Sequence, residues 1–235
     1  MCIRCKILNL DFLSDPITFD RCLDTLPEYG YWKLRREVMQ RLRFTEDKVR
    51  SLGAGLLLLS VLREYGAQDA EIEISLYGKP FLRGSRFQFN LSHSGKYAVC
   101  SYGYGDSGID IEKVQSVGQD LANRFFHKKE SVLVSEGGDQ MFIRLWTLKE
   151  CFIKADGRGL RLGLNTFRIC PGVSNQDFLP TADTIPAYCE KTCVENDDRF
   201  HFAEFVLDEY RIAVCSTHKI ERNLEIHTFH YSNNV

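Results

Sequence analysis

Two hydrophobic periods alternate along the chain and predict a mixture of helices and strands. Apolar residues recur at i, i+4 and i+8 over Tyr29–Arg43, and a dense apolar run over Arg50–Tyr65 predicts a second helix, which we expect to be buried. In Glu71–Ser75 the spacing changes to strict alternation, which is typical of a half-buried strand. The other segments with helical spacing are Asp120–Phe126, Lys129–Ser135 and Phe142–Ala155. The other segments with strand character are Cys2–Leu10, Phe87–Leu91, Tyr97–Tyr102, Ser107–Val114, Thr166–Cys170, Arg199–Leu207, Arg211–Ser216 and Glu225–His230.

These helices and strands follow one another without a regular strand–helix–strand alternation, which predicts the α+β class. With 235 residues the chain has room for one large domain or two small ones. The turn-rich segment Gly103–Ser107 is the best candidate boundary. It divides an N-terminal half, residues 1–105, from a C-terminal half, residues 106–235.

The charge balance argues against a protein that coats nucleic acid, because 30 Lys and Arg stand against 32 Asp and Glu. Locally the balance is uneven. Residues 31–50 carry seven basic and three acidic side chains, whereas residues 182–210 carry eight acidic and two basic ones. A local basic patch can bind a phosphorylated ligand or an acidic partner while the whole chain stays near neutral.

Neither a membrane span nor a signal peptide is predicted. The longest apolar stretch, Gly53–Leu62, is about half of the ~20 residues that cross a bilayer. Charged and polar residues interrupt the N-terminal segment, so it lacks the apolar core of a signal peptide. We therefore expect a cytoplasmic protein that has no membrane partner.

The nine cysteines, an odd number, are expected to be free and mostly buried thiols in a reducing compartment. Two pairs have close spacing, Cys2 with Cys5 and Cys189 with Cys193. A zinc site would require these two distant pairs to meet, and spacing alone is weak evidence for it. A zinc site is thus the less favoured interpretation.

Asp110 and Glu112 form the first of three clusters that could carry chemistry. Positions i and i+2 of a strand point to one face, so the two carboxylates converge. A hard divalent cation such as Mg²⁺ would neutralise them and keep water ligands for a phosphate. The alternative is a solvated strand face with two unrelated acids, because this short pattern is common.

The second cluster is a helical stripe of Trp146, Glu150 and Lys154 at i, i+4 and i+8. A Glu and a Lys one turn apart can serve as a base and as a cationic clamp for phosphate. The alternative is an ordinary surface ion pair that contributes about 0.3–0.5 kcal/mol.

The third cluster is the run Phe89–Gly95, in which a strand leads into the donor-rich sequence Ser-His-Ser-Gly. Such a turn can bind an anion, and the alternative is a capped turn with a satisfied histidine. A Ser-His hydrolase is disfavoured because Ser92 and His93 are neighbours on a strand and point to opposite faces. Together the three clusters predict a magnesium-bound diphosphate and a phosphoryl or phosphate-ester transfer, without a G-x-G-x-x-G or Walker motif.

The same motifs resemble the 4′-phosphopantetheinyl transferases, and the longer, monomeric, surfactin-synthetase-activating type fits best. The resemblance extends from about Met1 to about His230, and the motifs agree in order and spacing. They are Asn90-Leu-Ser-His-Ser94, Gly108-Ile-Asp-Ile-Glu112, Trp146-x-x-Lys-Glu150-x-x-x-Lys154-Ala-x-Gly157-x-Gly-Leu160, Arg50-Ser-Leu and Tyr77-Gly-Lys-Pro-Phe81.

This resemblance implies a pseudo-dimer of two similar α+β halves with coenzyme A in the cleft between them. The enzyme would transfer phosphopantetheine from coenzyme A to a serine hydroxyl of an apo acyl, peptidyl or aryl carrier protein and release 3′,5′-ADP. Asp110, Glu112 and Glu150 would ligate Mg²⁺, which Mn²⁺ could replace. Glu150 would also be the base, and Lys154 would stabilise charge on the transferring phosphate. The nucleotide would contact His93, which we also count as catalytic, together with Ser51, Ser92, Lys79 and Pro80.

The resemblance further implies a basic clamp for the 3′-phosphate in the helix before Arg50. The linker to Phe44 is about two residues shorter than in the family, so the register is open. Arg36 is the first choice with Lys33 as its companion, and Arg41 and Arg43 are alternatives.

An acidic carrier protein would dock on a surface that is both apolar and basic. One candidate wall is Gln115–His127, with Arg124, Phe125 and Phe126, and another is Gly157–Leu162, with Arg158 and Arg161. For the two phenylalanines, burial in the core is an equally good interpretation. We expect a monomer, because two fused halves supply the cleft within one chain. The rival functions are a non-catalytic binding module and a magnesium-dependent hydrolase of coenzyme A.

Overall fold

The computed structural model describes residues 2–174, 181, 183–187 and 189–229. The helices are α1 Pro16–Asp24, α2 Gly30–Arg41, α3 Thr45–Glu64, α4 Gln119–Phe125 and α5 Lys128–Asp156. The strands are β1 Ile3–Asn9, β2 Ile72–Ile74, β3 Pro80–Leu82, β4 Phe87–Ser94, β5 Tyr97–Tyr104, β6 Ser107–Lys113, β7 Ile169–Cys170, β8 Val173–Ser174, β9 Thr184–Pro186, β10 Cys189–Glu190, β11 Cys193–Val194, β12 His201–Leu207, β13 Tyr210–Ser216 and β14 Ile220–His227. The predicted α+β class is confirmed.

Two three-stranded units of the same design form the centre of the molecule. The first contains the antiparallel strands β4, β5 and β1 in that order, with α3 packed on one face. The second contains β12, β13 and β6 in that order, with α5 packed on one face. In each unit a tight hairpin joins two strands, and the third strand comes from earlier in the chain. This repetition agrees with the predicted pseudo-dimer.

The two sheets pack face to face, so the layers run helix, sheet, sheet, helix. Alternate residues of β1 and β5 point inward and meet alternate residues of β6, β12 and β13 in one apolar cluster. The opposite faces of the same strands pack against α3 in the first unit and α5 in the second. Each helix is therefore attached to its own sheet, and the described part of the chain forms three contiguous apolar clusters.

β14 links the end of the chain to its beginning. It runs parallel to β1, while β9 pairs with its other edge, which makes the first sheet five-stranded in the order β4-β5-β1-β14-β9. β14 also contacts β12 of the second unit. Strands from both sides of residue 105 thus share one sheet, and the boundary between residues 105 and 106 stays a prediction.

Helix α5, which carries one of the three clusters, has well-defined ends and one interruption. A capping box joins His127 and Glu130 at its start, and Gly157, with φ +85°, ends it in the left-handed conformation that glycine tolerates. At Gly138, with φ +59° and ψ −151°, the helix is broken. This break explains why the sequence predicts two separate helices, Lys129–Ser135 and Phe142–Ala155.

A few elements differ from the sequence prediction. Helix α1 was not predicted, although it has the start signals of Asp15 as N-cap and Pro16 in the first turn. The last strand begins five residues earlier than predicted, because its polar first half, which includes Glu221 and Asn223, hides the alternation. Residue His230, at the predicted end of that strand, lies outside the described residues. Among the helices described, none is both long and apolar enough to cross a bilayer.

Candidate functional site

Strands β4 and β6 lie side by side where the two units meet, and side chains join them. Three alternate residues of β4 each bond to β6. Asn90 Oδ1 accepts from the Ile109 N–H at 3.0 Å, Ser92 Oγ donates to Asp110 Oδ1 at 2.8 Å, and Ser94 Oγ donates to Glu112 Oε2 at 3.0 Å. We call this contact the β4–β6 seam. The spacing of two follows from strand geometry, which places residues 90, 92 and 94 on one face.

Lys154, in the last turn of α5, reaches the middle of the seam. Its ammonium donates to Asp110 Oδ1 at 2.6 Å, to the Ile109 carbonyl oxygen at 3.1 Å and to Ser92 Oγ at 3.2 Å. Asp110 is 4% exposed, so this ion pair is largely shielded from water. Serine, aspartate and lysine from three elements therefore form one charged, hydrogen-bonded group.

The close approach of α5 to β6 depends on Gly108. A Cβ atom at this position would lie within 3.0 Å of the Cys151 carbonyl oxygen and of the Ala155 N–H nitrogen, both of which are α5 backbone atoms. Only glycine lets the helix come this near to the strand. The absence of a side chain at Gly108 is thus what brings Lys154 and Glu150 to the acids of β6.

The three predicted metal ligands share one electrostatic environment. Burial raises the pKa of the Glu112 carboxyl to about 7, and the neighbouring negative charge of Asp110 adds to this effect, while the Ser94 hydrogen bond and Lys154 oppose it. The pKa of Glu150 is also raised, first by burial and then by the charge of Asp110. Like charges brought together in a shielded place resist ionisation unless a cation neutralises them.

The donors at this place suit a hard divalent cation. All three are carboxylates, which Mg²⁺ prefers, and the Oδ2 atom of Asp110 is buried without a hydrogen-bond partner. The three carboxylates are not arranged around one point. Within the described part of the chain, no group of three His, Cys, Asp or Glu side chains is placed so that it could hold a metal ion. Lys154 instead supplies the positive charge at Asp110 Oδ1. The residues therefore fit a cation, which would have to draw the carboxylates together.

A cleft opens beside the seam, between the two units. Its larger part has a volume of about 410 Å³, and an adjoining part has a volume of about 240 Å³. Five residues line both parts: Gly78, Pro80, Asn90, Leu91 and Lys154. The larger part is otherwise lined by Tyr31, Arg35, Ala54, Ile74, Ser92 and His93, and the adjoining part by Tyr77, Lys79, Ile153, Gly157 and Gly159. A space of this size fits a small-molecule ligand.

Arg35, from α2, is a basic residue that lines the larger part of the cleft. It is not among the site residues that the sequence predicts. Its guanidinium donates to the Ser51 carbonyl oxygen at 2.6 and 3.2 Å and to the Tyr31 hydroxyl at 3.0 Å. These bonds hold the α2 side chain against α3, where it lines the cleft. The signal that could have found it was the i+4 spacing from Tyr31, which places both residues on the same face of α2.

The predicted clamp of Lys33 and Arg36 does not line the cleft. Arg36 donates instead to the carbonyl oxygens of Leu23 at 2.6 Å and Leu26 at 2.9 Å, so it caps the end of α1. Lys33 is exposed, as are the alternatives Arg41 and Arg43. The prediction and the structure differ by one residue along α2. Neighbouring residues of a helix point about 100° apart, so a shift of one residue brings a different side chain to the cleft.

His93 stands at the edge of the cleft as a neutral histidine. Burial of the ring, together with the positive charges of Arg35, Arg50 and Lys154, lowers its pKa to about 4. The residue nevertheless keeps solvent-accessible surface where it lines the cleft. Nearby cations and accessible surface are the features expected of a side chain that can contact an anion.

Lys79 and Pro80 lie on the first unit beside the adjoining part of the cleft. The Lys79 ammonium donates to the carbonyl oxygens of Ser107 at 3.0 Å and Lys154 at 2.8 Å, and burial lowers its pKa. Lys79 therefore ties the first unit to β6 and to the last turn of α5. Lys79 and Pro80 both line the adjoining part of the cleft, and the two carbonyl oxygens already engage the Lys79 ammonium.

Trp146 has a packing role. Its ring contacts Phe142, Phe125 and Phe126 in an aromatic cluster between α4 and α5. Phe126 is 3% exposed and belongs to this core. Of the first candidate docking wall, Phe125 is half-buried and Arg124 lies over its ring. In the second wall Arg161 lies over the Tyr77 ring of the first unit, and Arg158 pairs with Asp156.

Lys149 is a residue of the helical motif to which the sequence assigned no role. Its fully buried ammonium pairs with Glu130 at 2.8 Å and donates to the carbonyl oxygens of Leu164 and Phe167. Glu130 in turn accepts from the N–H groups of Ile169 and His127. A buried ion pair with all its hydrogen bonds made holds its segments in register, and here it fixes the loop after α5 to both ends of that helix.

Comparisons with known proteins identify relatives over most of the chain. A family model described as the 4′-phosphopantetheinyl transferase superfamily matches residues 107–215. The chain is 33% identical over 193 residues to the 4′-phosphopantetheinyl transferase Sfp of Bacillus subtilis (strain 168), which covers 78% of this chain and 81% of that protein. It is 36% identical over 191 residues to the 4′-phosphopantetheinyl transferase psf-1 of Bacillus pumilus, which covers 77% of each.

A more distant relative and a solved structure were also found. The chain is 27% identical to the mouse L-aminoadipate-semialdehyde dehydrogenase-phosphopantetheinyl transferase (Mus musculus), over 84% of this chain and 73% of that protein. The holo-[acyl-carrier-protein] synthase of Thermotoga maritima matches with a TM-score of 0.34 and 23% identity, over 48% of this chain and 63% of that one. A likeness of this extent supports no conclusion about the site.

Proposed function

We propose that this chain, which belongs to the 4′-phosphopantetheinyl transferase superfamily, transfers the phosphopantetheine group of coenzyme A to a serine hydroxyl of an apo acyl or peptidyl carrier protein. The β4–β6 seam is the observation on which the assignment of catalytic and binding residues rests. There Ser92 of one unit meets Asp110 and Lys154 of the other at the wall of the cleft. A ligand in this cleft touches both units, and its phosphates lie within reach of the charged group.

Asp110, Glu112 and Glu150 would hold a divalent cation, which we take to be Mg²⁺. The buried, unpartnered Oδ2 of Asp110 and the raised pKa values of the two glutamates support this assignment. When bound, Mg²⁺ supplies the positive charge that neutralises the diphosphate of coenzyme A. Ser94 keeps one Glu112 oxygen oriented along the seam through its hydrogen bond.

Glu150 is the candidate for the base in the transfer step. The carrier serine oxygen forms a bond to the phosphorus of the phosphopantetheine, and the bond from that phosphorus to the bridging oxygen breaks. The pair of electrons leaves with 3′,5′-ADP, and the serine proton passes to the Glu150 carboxylate, directly or through water. A carboxylate with a raised pKa is better suited to accept this proton than an ordinary surface glutamate.

Lys154 would stabilise the negative charge that develops on the transferring phosphate and on the leaving ADP. Its ammonium is already held by Asp110, Ile109 and Ser92, so it does not need to be ordered during the reaction. Donors fixed before the transition state are the main source of electrostatic catalysis.

The larger and adjoining parts of the cleft would bind the nucleotide end of coenzyme A. Arg35 and His93 line the larger part of the cleft and would contact the 3′-phosphate. Ser51, whose backbone carbonyl oxygen accepts from Arg35, is not among the lining residues, and its hydroxyl would have to reach the phosphate from beside them. Ser92 would contact the diphosphate, and Pro80 and the backbone of Lys79 would lie against the adenine. Arg35 thus takes the role that the sequence gave to Arg36 and Lys33.

The carrier protein would approach the cleft from the side of the second unit. Of the residues considered for docking, Arg124, Phe125 and Arg158 have accessible surface, whereas Phe126 is in the core. A carrier with an acidic surface around its serine would complement the arginines. We further propose that the protein acts as a monomer in the cytoplasm, and no role for nucleic acid is part of this proposal.

One assay distinguishes the proposed activity from its rivals. The protein is mixed with coenzyme A, Mg²⁺ and an apo carrier protein, and the carrier is weighed by mass spectrometry. A gain of one phosphopantetheine per carrier, with release of 3′,5′-ADP, supports the transferase. Cleavage of coenzyme A while the carrier stays unmodified would instead indicate a hydrolase, and binding with neither reaction would indicate a non-catalytic module.

A further inference from the structure

Cys170 and Cys193 face each other across the short antiparallel pair of β7 and β11. They are register partners in that pair, and both are free thiols. Residues directly opposite in an antiparallel ladder have Cα atoms about 4.5–5.5 Å apart, which lies inside the range of 4.4–6.8 Å that a disulfide needs. Burial raises the pKa of the Cys170 thiol, and Cys193 also raises it, as expected of a close neighbour. The register therefore places the two residues at a backbone spacing that is compatible with a disulfide.

The two thiols differ in access from the other cysteines of the described residues. Cys193 is exposed and Cys170 is half-buried, whereas Cys5, Cys22, Cys100, Cys151 and Cys215 are buried. Cys2 is also exposed, but it has a buried neighbour, Cys5, whose access is closed. An oxidant in solution can thus reach Cys193, and a partner thiol is in place next to it. Among the cysteines whose side chains the structure describes, a set that leaves out Cys189, no other pair combines these two properties.

The position of the pair gives a disulfide there a structural effect. The chain leaves the second unit through β7, contributes β9 to the edge of the first sheet beside β14, and returns to the second unit through β11. β7 and β11 are only two residues long each, so few backbone hydrogen bonds hold the two ends of this connection together. A covalent bond between Cys170 and Cys193 would join those two ends where the connection leaves and re-enters the second unit.

We propose that Cys170 and Cys193 form a reversible disulfide when a small-molecule disulfide, such as glutathione disulfide, is present. The exposed Cys193 sulfur attacks one sulfur of the oxidant, its proton leaves, and one small thiol is released. The Cys170 sulfur then attacks the mixed disulfide on Cys193 and releases the second small thiol, which takes up the second proton. Two protein thiols are oxidised and one external disulfide is reduced to two thiols, so the electrons balance.

The test uses the full chain under native conditions. Protein is incubated with a glutathione disulfide–glutathione mixture, free thiols are alkylated, and the digest is examined by mass spectrometry. We expect a peptide pair linked through Cys170 and Cys193, which disappears when dithiothreitol is added before alkylation. Full alkylation of both cysteines would overturn the proposal. So would a glutathione adduct that stays on Cys193 while Cys170 is alkylated, or a bond from Cys193 to a different cysteine.

A second measurement tests the structural effect with matched variants. Closing a loop of this length restricts the unfolded chain, so oxidation should raise the Tm of the wild type by roughly 5–10 °C. The Cys193→Ser and Cys170→Ser variants should show no rise, and Cys2→Ser should behave like the wild type. If the wild type forms the Cys170–Cys193 disulfide but its Tm does not change, the bond does not stabilise the connection between the two units. An equal rise in the Cys193→Ser variant would assign the effect to another thiol and overturn the proposal.

Discussion

The Lys154 ammonium and the Asp110 carboxylate lie 2.6 Å apart, although one belongs to helix α5 and the other to strand β6. The hydroxyl of Ser92, from the other unit of the molecule, bonds to both partners. The ion pair therefore does more than attach a helix to its own sheet. It also fixes the position of the first unit relative to the second, so the geometry of the cleft depends on it.

Replacement of Lys154 by Met tests two roles of the ammonium, its part in the transfer reaction and its neutralisation of the Asp110 carboxylate. The variant keeps the length of the side chain but leaves the buried Asp110 carboxylate without its cation, and this should cost about 1–3 kcal/mol of unfolding free energy. We expect transfer to fall at least 100-fold, measured as modified carrier per minute. Added Mg²⁺ should raise the Tm of Lys154→Met more than that of the wild type, because the cation takes over the role of the ammonium. Lys154→Arg, which keeps the charge, should retain most of the stability. Equal Mg²⁺ effects on the two proteins would contradict this assignment.

Glu150→Gln should abolish transfer and leave coenzyme A binding largely intact. Loss of the proton acceptor should reduce the rate by about 10²–10⁴-fold, while the amide preserves the shape of the side chain. The rate is measured by mass spectrometry of the carrier and the affinity by calorimetry. Glu136→Gln, an exposed position on the same helix, is the matched control and should behave like the wild type. Turnover at the wild-type rate in Glu150→Gln would remove Glu150 as the base.

Arg35 and Arg36 are adjacent arginines for which opposite results are expected. Arg35→Gln should weaken binding of coenzyme A about tenfold and hardly change binding of 3′-dephospho-coenzyme A, because the lost charge faces the 3′-phosphate. Arg36→Gln should leave both affinities unchanged and lower the Tm, since its bonds to Leu23 and Leu26 hold α1. Calorimetry with the two ligands and thermal unfolding distinguish the cases. If Arg36→Gln shows the ligand discrimination instead, the register derived from the sequence was correct.

The protonation of His93 gives a prediction for pH dependence. Its folded pKa of about 4 lies below the ordinary 6.5, so the unfolded chain binds a proton first as the pH falls. The contribution of His93 to stability is therefore fully present above pH 6.5 and is lost as the pH falls toward 4. NMR titration should give a pKa near 4 for the free protein, and coenzyme A should raise it, because a phosphate favours the imidazolium. A ring that titrates near 6.5 in the free protein, with no change on ligand addition, would remove His93 from the phosphate site.

Gly108→Ala tests the close packing of α5 on β6. The added Cβ would meet helix backbone that cannot rotate away, so we expect a loss of about 1–3 kcal/mol of stability and a displaced Lys154. Gly118→Ala is the control, because that glycine has an ordinary φ of −66° and no atom within 4 Å of its Cβ position. Urea unfolding measures the first effect, and transfer activity well below the Tm measures the second. A fully active and stable Gly108→Ala protein would show that the helix can move without consequence.

Much of the site could be predicted because its chemistry lies in short local patterns. Asp110 and Glu112 share a face of β6, and Glu150 and Lys154 share a face of α5, and both relations follow from the periods of strand and helix. What the patterns could not show is that Ser92 and Ser94 would hydrogen-bond to these acids across the seam. That contact joins residues about eighteen positions apart and exists only because two units pack together.

The basic clamp shows what the sequence alone leaves open. Five basic residues lie between positions 33 and 43, and only the packing of α2 decides which of them faces the cleft. Arg35 is selected because the Ser51 carbonyl oxygen and the Tyr31 hydroxyl hold it there, and Arg36 is turned away to the end of α1. In the same way, no periodicity reveals that Lys149 pairs with Glu130, nineteen residues earlier, because both are buried by tertiary contacts.

The course of β14 makes the two sides of the repeated fold unequal. Where β4 meets β6 the cleft stays open, whereas on the other side β14 lies along β1 and reaches β12. Over the described residues β14 has no counterpart in the second unit, which keeps three strands while the first sheet has five. The molecule is therefore asymmetric although its two units share one design, and the cleft described above lies on the β4–β6 side.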